Sequence, residues 1–340
     1  MPAPMTMART IENPTVLRAP MVRMVSAVLL RFSSIVSTIL RPEAPPMKSA
    51  GFSLLFACLL IGPSGTAQQK PSEARTAQIY VSVVDDKGSA VPGLKAGDFA
   101  VREDGGAREV LAAEPATDSL DIMLIVDDSQ AATTTIPYLR DGLSKFIDRM
   151  QGKAKIGLVT IGERPTSVVE YTTDAVALKK GVNRIFARPG SGAYLLEGVR
   201  DVSRGFKMRE GIKRPVIIAL TVEGIEFSNL QYERVLDDLR ASGATFHALA
   251  IGTPAAMVSD ELRNRGLLLA EGTKETGGRR DQLLSPMAIE DRLQQVAGEL
   301  LTQYVVTYGR PDKLIPPEKV QVTTTKPGLT ARARTRISAK

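Results

Sequence analysis

The feature that most constrains the fold is an alternation of apolar and amphipathic segments through the middle of the chain. Four segments are almost continuously apolar, as strands buried on both faces of a parallel sheet must be: 120–126, 156–161, 215–221 and 245–251. Between and after them lie amphipathic segments with a helical period, at 136–150, 174–186, 194–208, 230–242 and 287–301. Strands joined by helices in this way predict an α/β fold with a doubly wound, mostly parallel sheet.

Both regions that flank this middle part have the character of antiparallel strands. Near the amino end, Ile79, Val81 and Val83 occupy alternate positions, and the sequence Asp-Gly-Gly at 104–106 is a hairpin signal. Near the carboxyl end, strand-like segments lie at 303–308, 320–325 and 330–337. Because neither end has enough strands for a stable structure alone, we predict that both ends pair into one small antiparallel β domain.

The segment 47–67 resembles a secretory signal peptide. Lys48 is a short positive region, 52–61 is apolar but too short to span a membrane, and 65–67 is a small-residue cleavage site. We therefore predict an exported protein, periplasmic or extracellular, with no integral membrane span in the mature chain. A lipid anchor through Cys58 is the alternative, because residues 55–58 resemble a lipobox.

The predicted organisation has six parts. In order, they are an extension or misassigned start at 1–46, the signal peptide at 47–67, a linker at 68–77, the first part of the β domain at 78–115, the α/β domain at 118–301 and the second part of the β domain at 302–340. Residues 1–67 carry six Lys or Arg and two Asp or Glu, so the net charge falls from +7 for the whole chain to +3 for the remainder. This small excess argues against nucleic acid as a partner.

Composition excludes several kinds of chemistry. The chain has one cysteine, Cys58, and one histidine, His247, whereas zinc sites, thiol redox pairs and haem ligation draw on several such side chains. His247 falls on a predicted buried strand, where it is either a hydrogen-bonded core residue or a catalytic base without an obvious nucleophile. The part after Ala67 contains no Walker motif and no Gly-x-Ser-x-Gly motif. We predict that the protein is not an enzyme.

Candidate ligands follow the first apolar strand. The sequence 127–133 is Asp-Asp-Ser-Gln-Ala-Ala-Thr and contains no glycine, so it cannot form the glycine-rich turn of a dinucleotide site. Ligands of open α/β sheets bind beyond the carboxyl ends of the strands. The carboxylate of Asp127 and the hydroxyl of Ser129 are instead the oxygen ligands that Mg²⁺ prefers.

Several segments together carry a family resemblance. They are 98–105 (DFAVREDG), 122–129 (IMLIVDDS), 243–252 (GATFHALAIG), 275–278 (ETGG) and 301–308 (LTQYVVTY). The central region resembles a von Willebrand factor type A domain, and 78–337 resembles the VWFA-related family first described in Acidobacteria. The resemblance implies a type A fold and a role in binding.

The resemblance also implies a place for a metal. Type A domains commonly hold a divalent ion at a metal-ion-dependent adhesion site, formed by Asp-x-Ser-x-Ser on one loop, Thr on a second and Asp on a third. Asp127 and Ser129 match this pattern. The other three positions are Ala131, Ala193 and Val222. We therefore predict a degenerate site for Mg²⁺ or another divalent cation.

Two interpretations of this degenerate site stay open. Asp128, Thr133, Ser191 or Glu223 could replace the lost ligands through water, although Mg²⁺ demands near-octahedral geometry. Alternatively, Asp127 and Ser129 satisfy backbone donors and cap the following helix. The candidate binding residues are Asp127, Asp128, Ser129, Ser191 and Glu223.

The predicted function is protein binding through three loops at one edge of the sheet, which we name loop 1 (127–135), loop 2 (188–194) and loop 3 (222–229). The alternative is a structural or assembly scaffold of the cell envelope that binds no ion. A basic stretch at 204–214 is either a solvated face near a helix end or an anion-binding patch.

Overall fold

The computed structural model describes residues 75–254, 256, 258–311 and 315–337. The predicted extension, the predicted signal peptide with Cys58 and most of the predicted linker lie outside the described residues. Among the residues that are described, no helix has both the length and the apolar character needed to cross a membrane.

The elements are numbered in chain order. The strands are β1 (Thr76–Val84), β2 (Phe99–Glu103), β3 (Gly106–Arg108), β4 (Val110–Pro115), β5 (Leu120–Val126), β6 (Ala154–Thr160), β7 (Thr166–Thr172), β8 (Arg214–Val222), β9 (Thr245–Ile251), β10 (Arg280–Leu283), β11 (Tyr304–Gly309), β12 (Val320–Thr324) and β13 (Thr330–Arg332). The helices are α1 (Ile136–Met150), α2 (Ala175–Val182), α3 (Leu195–Met208), α4 (Tyr232–Ser242), α5 (Asp260–Leu267), α6 (Thr273–Thr276) and α7 (Ile289–Leu301).

The central sheet has six strands in the order β10-β9-β8-β5-β6-β7. All neighbouring pairs are parallel except β6 and β7, which are antiparallel. At the middle of the sheet, Leu124 of β5 is opposite Leu158 of β6 and Ile218 of β8. The predicted fold class, a mostly parallel sheet flanked by helices, is confirmed.

Helices cover both faces of this sheet and create two cores. Ile122 and Leu124 of β5 belong to the core that α1 and α7 complete. Met123 and Ile125, the alternating residues, belong to the core that α3 and α4 complete. This double burial explains why β5 is apolar at nearly every position, since successive side chains of a strand point to opposite faces.

The sequence pattern missed two strands and misplaced a helix end. β7 and β10 are strands at the two edges of the sheet, and β7 is largely half-exposed, so it lacks the apolar run that marks a strand buried on both faces. α2 begins after Asp174, whose Oδ1 accepts from the amides of Val176 and Ala177. It ends at Val182 rather than 186, and the carbonyl of Ile185 accepts from Nε of Arg140 at 3.0 Å.

The segment 260–276 is helical throughout, which the amphipathic pattern did not predict. α5 continues through a π-helical turn at Leu268–Gly272 into α6. α5 is polar in composition, with the sequence DELRNRGL, and therefore offers no apolar stripe to recognise. This helix carries a residue that matters for the candidate site.

Strands from both chain ends form small antiparallel sheets, as predicted. β1 pairs with β11 and β13, and β2 pairs with β12 and β3. The ring of Phe99 meets the ring of Tyr304 edge-on at 5.5 Å in the core that these strands share. The boundaries between the predicted domains stay predictions.

These sheets adjoin the amino edge of the central sheet. Arg214, the first residue of β8, donates to the carbonyl of Ala116 and to Oε1 of Gln303. Loops 1 and 3 follow β5 and β8 at the opposite, carboxyl edge. The flanking sheets and the loops are thus at opposite edges of the central sheet.

Candidate functional site

Asp127, the first residue of loop 1, is fully enclosed by the protein. It is 0% exposed, its Oδ1 accepts from the amide of Ser129 at 2.9 Å, and its Oδ2 accepts from the amide of Val222 at 2.9 Å. The hydroxyl of Thr221 lies 3.5 Å from the same Oδ2. Burial raises the pKa of Asp127, although these hydrogen bonds and the charge of Arg265 oppose the rise. Oδ1 therefore fixes the turn within loop 1, and Oδ2 holds loop 1 to the end of β8.

Both carboxylate oxygens of Asp128 also accept hydrogen bonds from the protein. Its Oδ1 accepts from the amide of Gly162 at 2.6 Å, and its Oδ2 accepts from Nε of Arg188 at 2.8 Å. The bond to Asp128 also raises the pKa of the Arg188 guanidinium, which in addition reaches Glu163. A side chain at Gly162 would lie 2.6 Å from Oδ1 of Asp128, so only glycine fits there. Asp128 thus joins loop 1 to loop 2 and to the end of β6.

The serines of the prediction also have partners. Ser129 is buried and its side chain hydrogen-bonds Asp127. The hydroxyl of Ser191 donates to the carbonyl of Arg188 at 2.8 Å. Of the predicted binding residues, Asp127 and Ser129 are therefore in direct contact, and Ser191 lies on loop 2.

Glu223 lies beside an arginine that the sequence analysis did not single out. Nη1 of Arg265, from α5, donates to Oε2 of Glu223 at 2.8 Å. Its Nη2 donates to the hydroxyl of Thr221 at 3.2 Å, the same hydroxyl that lies near Asp127. Arg265 is only 4% exposed. A buried guanidinium thus stands one side chain away from Asp127.

Glu226 is the second acid that the sequence analysis missed. Its Oε1 accepts from the amides of Leu195 and Ser228, both at 3.1 Å, so it caps the amino end of α3. Its Oε2 lies 3.8 Å from Nε of Arg265 and makes no hydrogen bond among the described residues. Burial raises the pKa of Glu226 to about 7. One arginine therefore provides the positive charge for Asp127, Glu223 and Glu226.

One signal for Arg265 was present in the sequence. It lies two residues before the apolar run at 267–269, and Leu268 and Leu269 are buried in the core with α3 and α4. A charged residue next to such a run in a helical segment can face the interior, where it needs a partner. No comparable signal marked Glu226.

Direct contacts close the space between the loops. The amide of Ala193 donates to the carbonyl of Ile225, and the amide of Phe227 donates back to the carbonyl of Ala193, both at 2.8 Å. A Cβ on Gly224 would lie 2.5 Å from Cβ of Ala131. Loops 2 and 3 are therefore joined through their backbones, and loop 1 packs against loop 3.

These residues do not fit an octahedral divalent ion. Ala131, Ala193 and Val222 offer no side-chain oxygen, and the oxygens of Asp127 and Asp128 already accept from N–H donors. Arg265 adds a positive charge next to Asp127. Among the described residues, no group of three His, Cys, Asp or Glu side chains is arranged to hold a metal ion.

Loop 3 places two large apolar side chains in solvent. Ile225 is 63% exposed and Phe227 is 46% exposed. The ring of Phe227 lies 5.9 Å from that of Tyr194 on loop 2 and packs so close to Gly192 that a Cβ there would lie 2.7 Å from it. Both residues follow the buried strand β8 and extend from a loop whose backbone is fixed at Ala193.

His247 lies on β9, away from these loops. It is completely buried, and neither ring nitrogen has a hydrogen-bond partner among the described residues. Burial lowers its pKa to about 4. The expected hydrogen bond of a core histidine is therefore not found in the described part of the chain.

The comparisons with known proteins agree with the fold. Residues 121–266 match the von Willebrand factor type A domain, so a type A domain is present in this part of the chain. No curated protein matches the sequence.

Solved structures with a similar fold include the conserved hypothetical protein BatB from Bacteroides thetaiotaomicron, at 16% identity over 54% of this chain and 99% of that chain, with a TM-score of 0.41. The vWF domain of the type V pili tip protein Mfa5 from Porphyromonas gingivalis is 10% identical over 54% of this chain and 96% of that chain, with a TM-score of 0.42. A von Willebrand factor type A protein from Catenulispora acidiphila is 13% identical over 78% of this chain and 72% of that chain, with a TM-score of 0.44.

Proposed function

We propose that the protein is an exported, non-enzymatic binding module whose type A domain recognises a protein partner through loops 1, 2 and 3 without a metal ion. The observation that carries the proposal is the pair of exposed apolar residues, Ile225 and Phe227, on a loop fixed by hydrogen bonds. Large apolar side chains held in solvent at fixed positions can serve as anchors in a protein interface. Because the loop is already ordered, little conformational entropy is lost on binding.

The metal-ion-dependent adhesion site is, in this proposal, degenerate. The oxygens of Asp127 and Asp128 accept hydrogen bonds from backbone amides and Arg188, and these contacts compete with the coordination of a divalent ion. The same contacts support the proposal of a non-enzymatic role, because these carboxylates are occupied by structural hydrogen bonds. A location in the periplasm or outside the cell follows from the signal peptide proposed at 47–67, and membership of the VWFA-related family remains part of the proposal.

The binding proposal is tested with the full-length chain as bait against envelope proteins of the cells that export it. Captured proteins are identified, purified and measured directly by surface plasmon resonance. We expect Ile225→Ser with Phe227→Ser to abolish binding, and chelator to leave wild-type binding unchanged. Met208→Ser is the matched control, because Met208 is 80% exposed at the opposite end of α3.

Three outcomes separate the alternatives. Binding lost in the loop 3 double variant but kept in Met208→Ser supports the proposal. Binding lost in chelator would show that an ion is required and would contradict it. Specific binding that survives the double variant would place the partner elsewhere and favour an envelope scaffold.

A further inference from the structure

A second feature lies at the amino edge of the central sheet, opposite the three loops. There, a cavity of about 250 Å³ that opens to solvent is lined by β1, the starts of β8 and β9, and residues near the carboxyl end. Three cationic side chains line it, Lys213, Arg214 and Arg334, and no Asp or Glu is among its lining residues in the described part of the chain. A cavity with positive charge and no acid of its own is suited to a negatively charged ligand.

The Arg334 guanidinium has one hydrogen-bond partner among the described residues. Its Nη2 donates to the carbonyl of Gly243 at 2.8 Å, and it forms no ion pair with the described residues. Burial lowers its pKa, and no carboxylate opposes that effect. A partly buried guanidinium with several donors and a single neutral acceptor can still accept an anion.

Arg214 is held in place by other contacts. Its two terminal nitrogens donate to three backbone carbonyls and to Oε1 of Gln303. Its Nε–H is buried without a partner among the described residues, although the side chain lines the cavity and is only 6% exposed. Asp118 attracts Arg214, but Oδ2 of Asp118 accepts from the hydroxyl of Tyr80 at 2.6 Å. Arg214 therefore brings a fixed, buried positive charge with one N–H unused.

Two of the remaining lining residues have neutral donor groups. Thr245 has a hydroxyl, and Gln78 has an amide whose Nε2 also donates to the hydroxyl of Thr307 at 3.4 Å. Lys213 precedes Arg214 on the exposed side, so it adds a mobile ammonium group at the rim. Two arginines, one lysine and neutral donors form a set that matches the oxygens of a small anion.

We propose that this cavity binds a small oxyanion, a phosphate or a carboxylate group, held by Arg334 and Lys213 with the buried charge of Arg214 behind it. An anion-binding patch was one of the two interpretations of the basic stretch at 204–214. In the fold, Arg214 at the end of that stretch lines the same cavity as Arg334, which lies 120 residues further along the chain. The site is independent of the function proposed for the three loops.

The test is isothermal titration calorimetry on the full-length chain, at an ionic strength kept constant with sodium chloride. The probes are inorganic phosphate, sulfate and N-acetylglycine, with the uncharged N-acetylglycine methylamide as the control ligand. We expect saturable binding of at least one of the three anions and none of the amide. Arg334→Gln should weaken that binding at least tenfold.

Two further variants keep the result decisive. Thermal unfolding in chloride shows whether Arg334→Gln destabilises the fold. Lys213→Gln removes a charge at the rim from an exposed side chain, so it should weaken anion binding without that complication. Lys207→Gln, an exposed cation on α3 outside the cavity lining, should bind as the wild type does.

The ligand class follows from which probe binds. Preference for phosphate and sulfate identifies a tetrahedral anion, and preference for N-acetylglycine identifies a carboxylate; both support the oxyanion site. The absence of saturable binding by all three anions would overturn the proposal. So would equal affinity in wild type, Arg334→Gln and Lys213→Gln.

Discussion

Nη1 of Arg265 and Oε2 of Glu223 are 2.8 Å apart, and both side chains are largely excluded from solvent. The same guanidinium lies 3.8 Å from Glu226 and acts on Asp127 through its charge. The positive charge at this edge of the sheet thus belongs to a side chain of the protein, and it does not depend on the concentration of divalent ions. Arg265 therefore has a structural role in keeping three buried acids together.

Replacing Arg265 should destabilise the fold strongly. Arg265→Met keeps most of the side-chain volume but leaves Glu223, Glu226 and Asp127 without a buried cation. We expect a loss of about 3–5 kcal/mol in the free energy of unfolding, the usual cost of removing one partner from a buried ion pair. Urea denaturation of both proteins at pH 7.5 measures it.

Arg263→Met is the matched control for this substitution. Arg263 lies on the same helix, but its pair with Asp260 is exposed, with side-chain exposures of 60% and 73%. Such surface pairs contribute about 0–1 kcal/mol. Equal stability of Arg265→Met and Arg263→Met would mean that Arg265 does not support the buried acids.

Glu226 should make stability fall as pH rises. Its pKa is about 7 in the folded state, compared with 4.5 for an exposed glutamate. Between these values the folded state keeps a proton that the unfolded chain has lost, so Glu226 lowers stability by about 3 kcal/mol across that window. Glu226→Gln keeps the acceptor for Leu195 and should remove this fall. The difference between the two urea-denaturation profiles from pH 4.5 to 8 isolates it, and parallel profiles would contradict the assignment.

His247 should act in the opposite direction. Its pKa falls from 6.5 to about 4 on burial, among Glu299, Asp281, Arg279 and Arg332. Between these values the unfolded chain binds a proton that the folded state does not, so stability rises with pH by about 3 kcal/mol over this range. His247→Leu should remove this rise, because neither ring nitrogen makes a hydrogen bond that leucine would lose. In the wild type, the effects of Glu226 and His247 on stability overlap in pH and partly cancel. If the free energy of unfolding of His247→Leu follows that of the wild type from pH 4 to 6.5, the buried histidine is not a source of the pH dependence.

The contact between loops 1 and 3 can be tested by adding a methyl group at Gly224 and removing the one at Ala131. In Gly224→Ala the new Cβ would lie 2.5 Å from Cβ of Ala131, and such overpacking typically costs about 1–3 kcal/mol. Adding Ala131→Gly removes the opposing methyl group and should restore most of the loss. A double-mutant cycle by thermal unfolding checks this expectation. Additive effects of the two substitutions would show that the residues do not touch.

Glu299 should couple α7 to the flanking sheets. It is buried on α7, and its carboxylate accepts from Nε of Arg332 on β13 at 3.1 Å and from Nη2 at 2.6 Å. Glu299→Gln removes the countercharge of Arg332 and should cost about 3 kcal/mol, the lower end of the buried-pair range because Arg332 is partly exposed. Glu290→Gln on the same helix breaks only the exposed pair with Lys145 and should cost less than about 1 kcal/mol. Hydrogen exchange should show earlier opening of β13 in Glu299→Gln alone.

The fold was predictable from the sequence because its strongest signals are local. Residues 120–126 are apolar at nearly every position, and β5 is buried on both faces as that pattern requires. The positions of Asp127 and Ser129 at the end of this strand follow from the same pattern. Edge strands such as β7 gave no such signal because half-exposed strands tolerate polar residues.

The electrostatics of the site were not predictable in the same way. Arg265 reaches Glu223 across 42 residues of chain, and it comes from a helix without an apolar stripe. Which charges are compensated depends on contacts distant in sequence, and periodicity within one segment carries no information about them. The missing oxygens at Ala131, Ala193 and Val222 could be read from the sequence, whereas the contact between Arg265 and Glu223 could not.

The position of the flanking sheets also determines which end of the molecule a tether would hold. β1 and β13, the first and last strands of the described chain, are paired with each other, and the contacts of Arg214 join their surroundings to the amino edge of the central sheet. A tether attached through either strand would therefore hold the molecule by its base. Ile225 and Phe227, on the loop that follows the carboxyl end of β8, would then lie at the end of the central sheet farther from the tether.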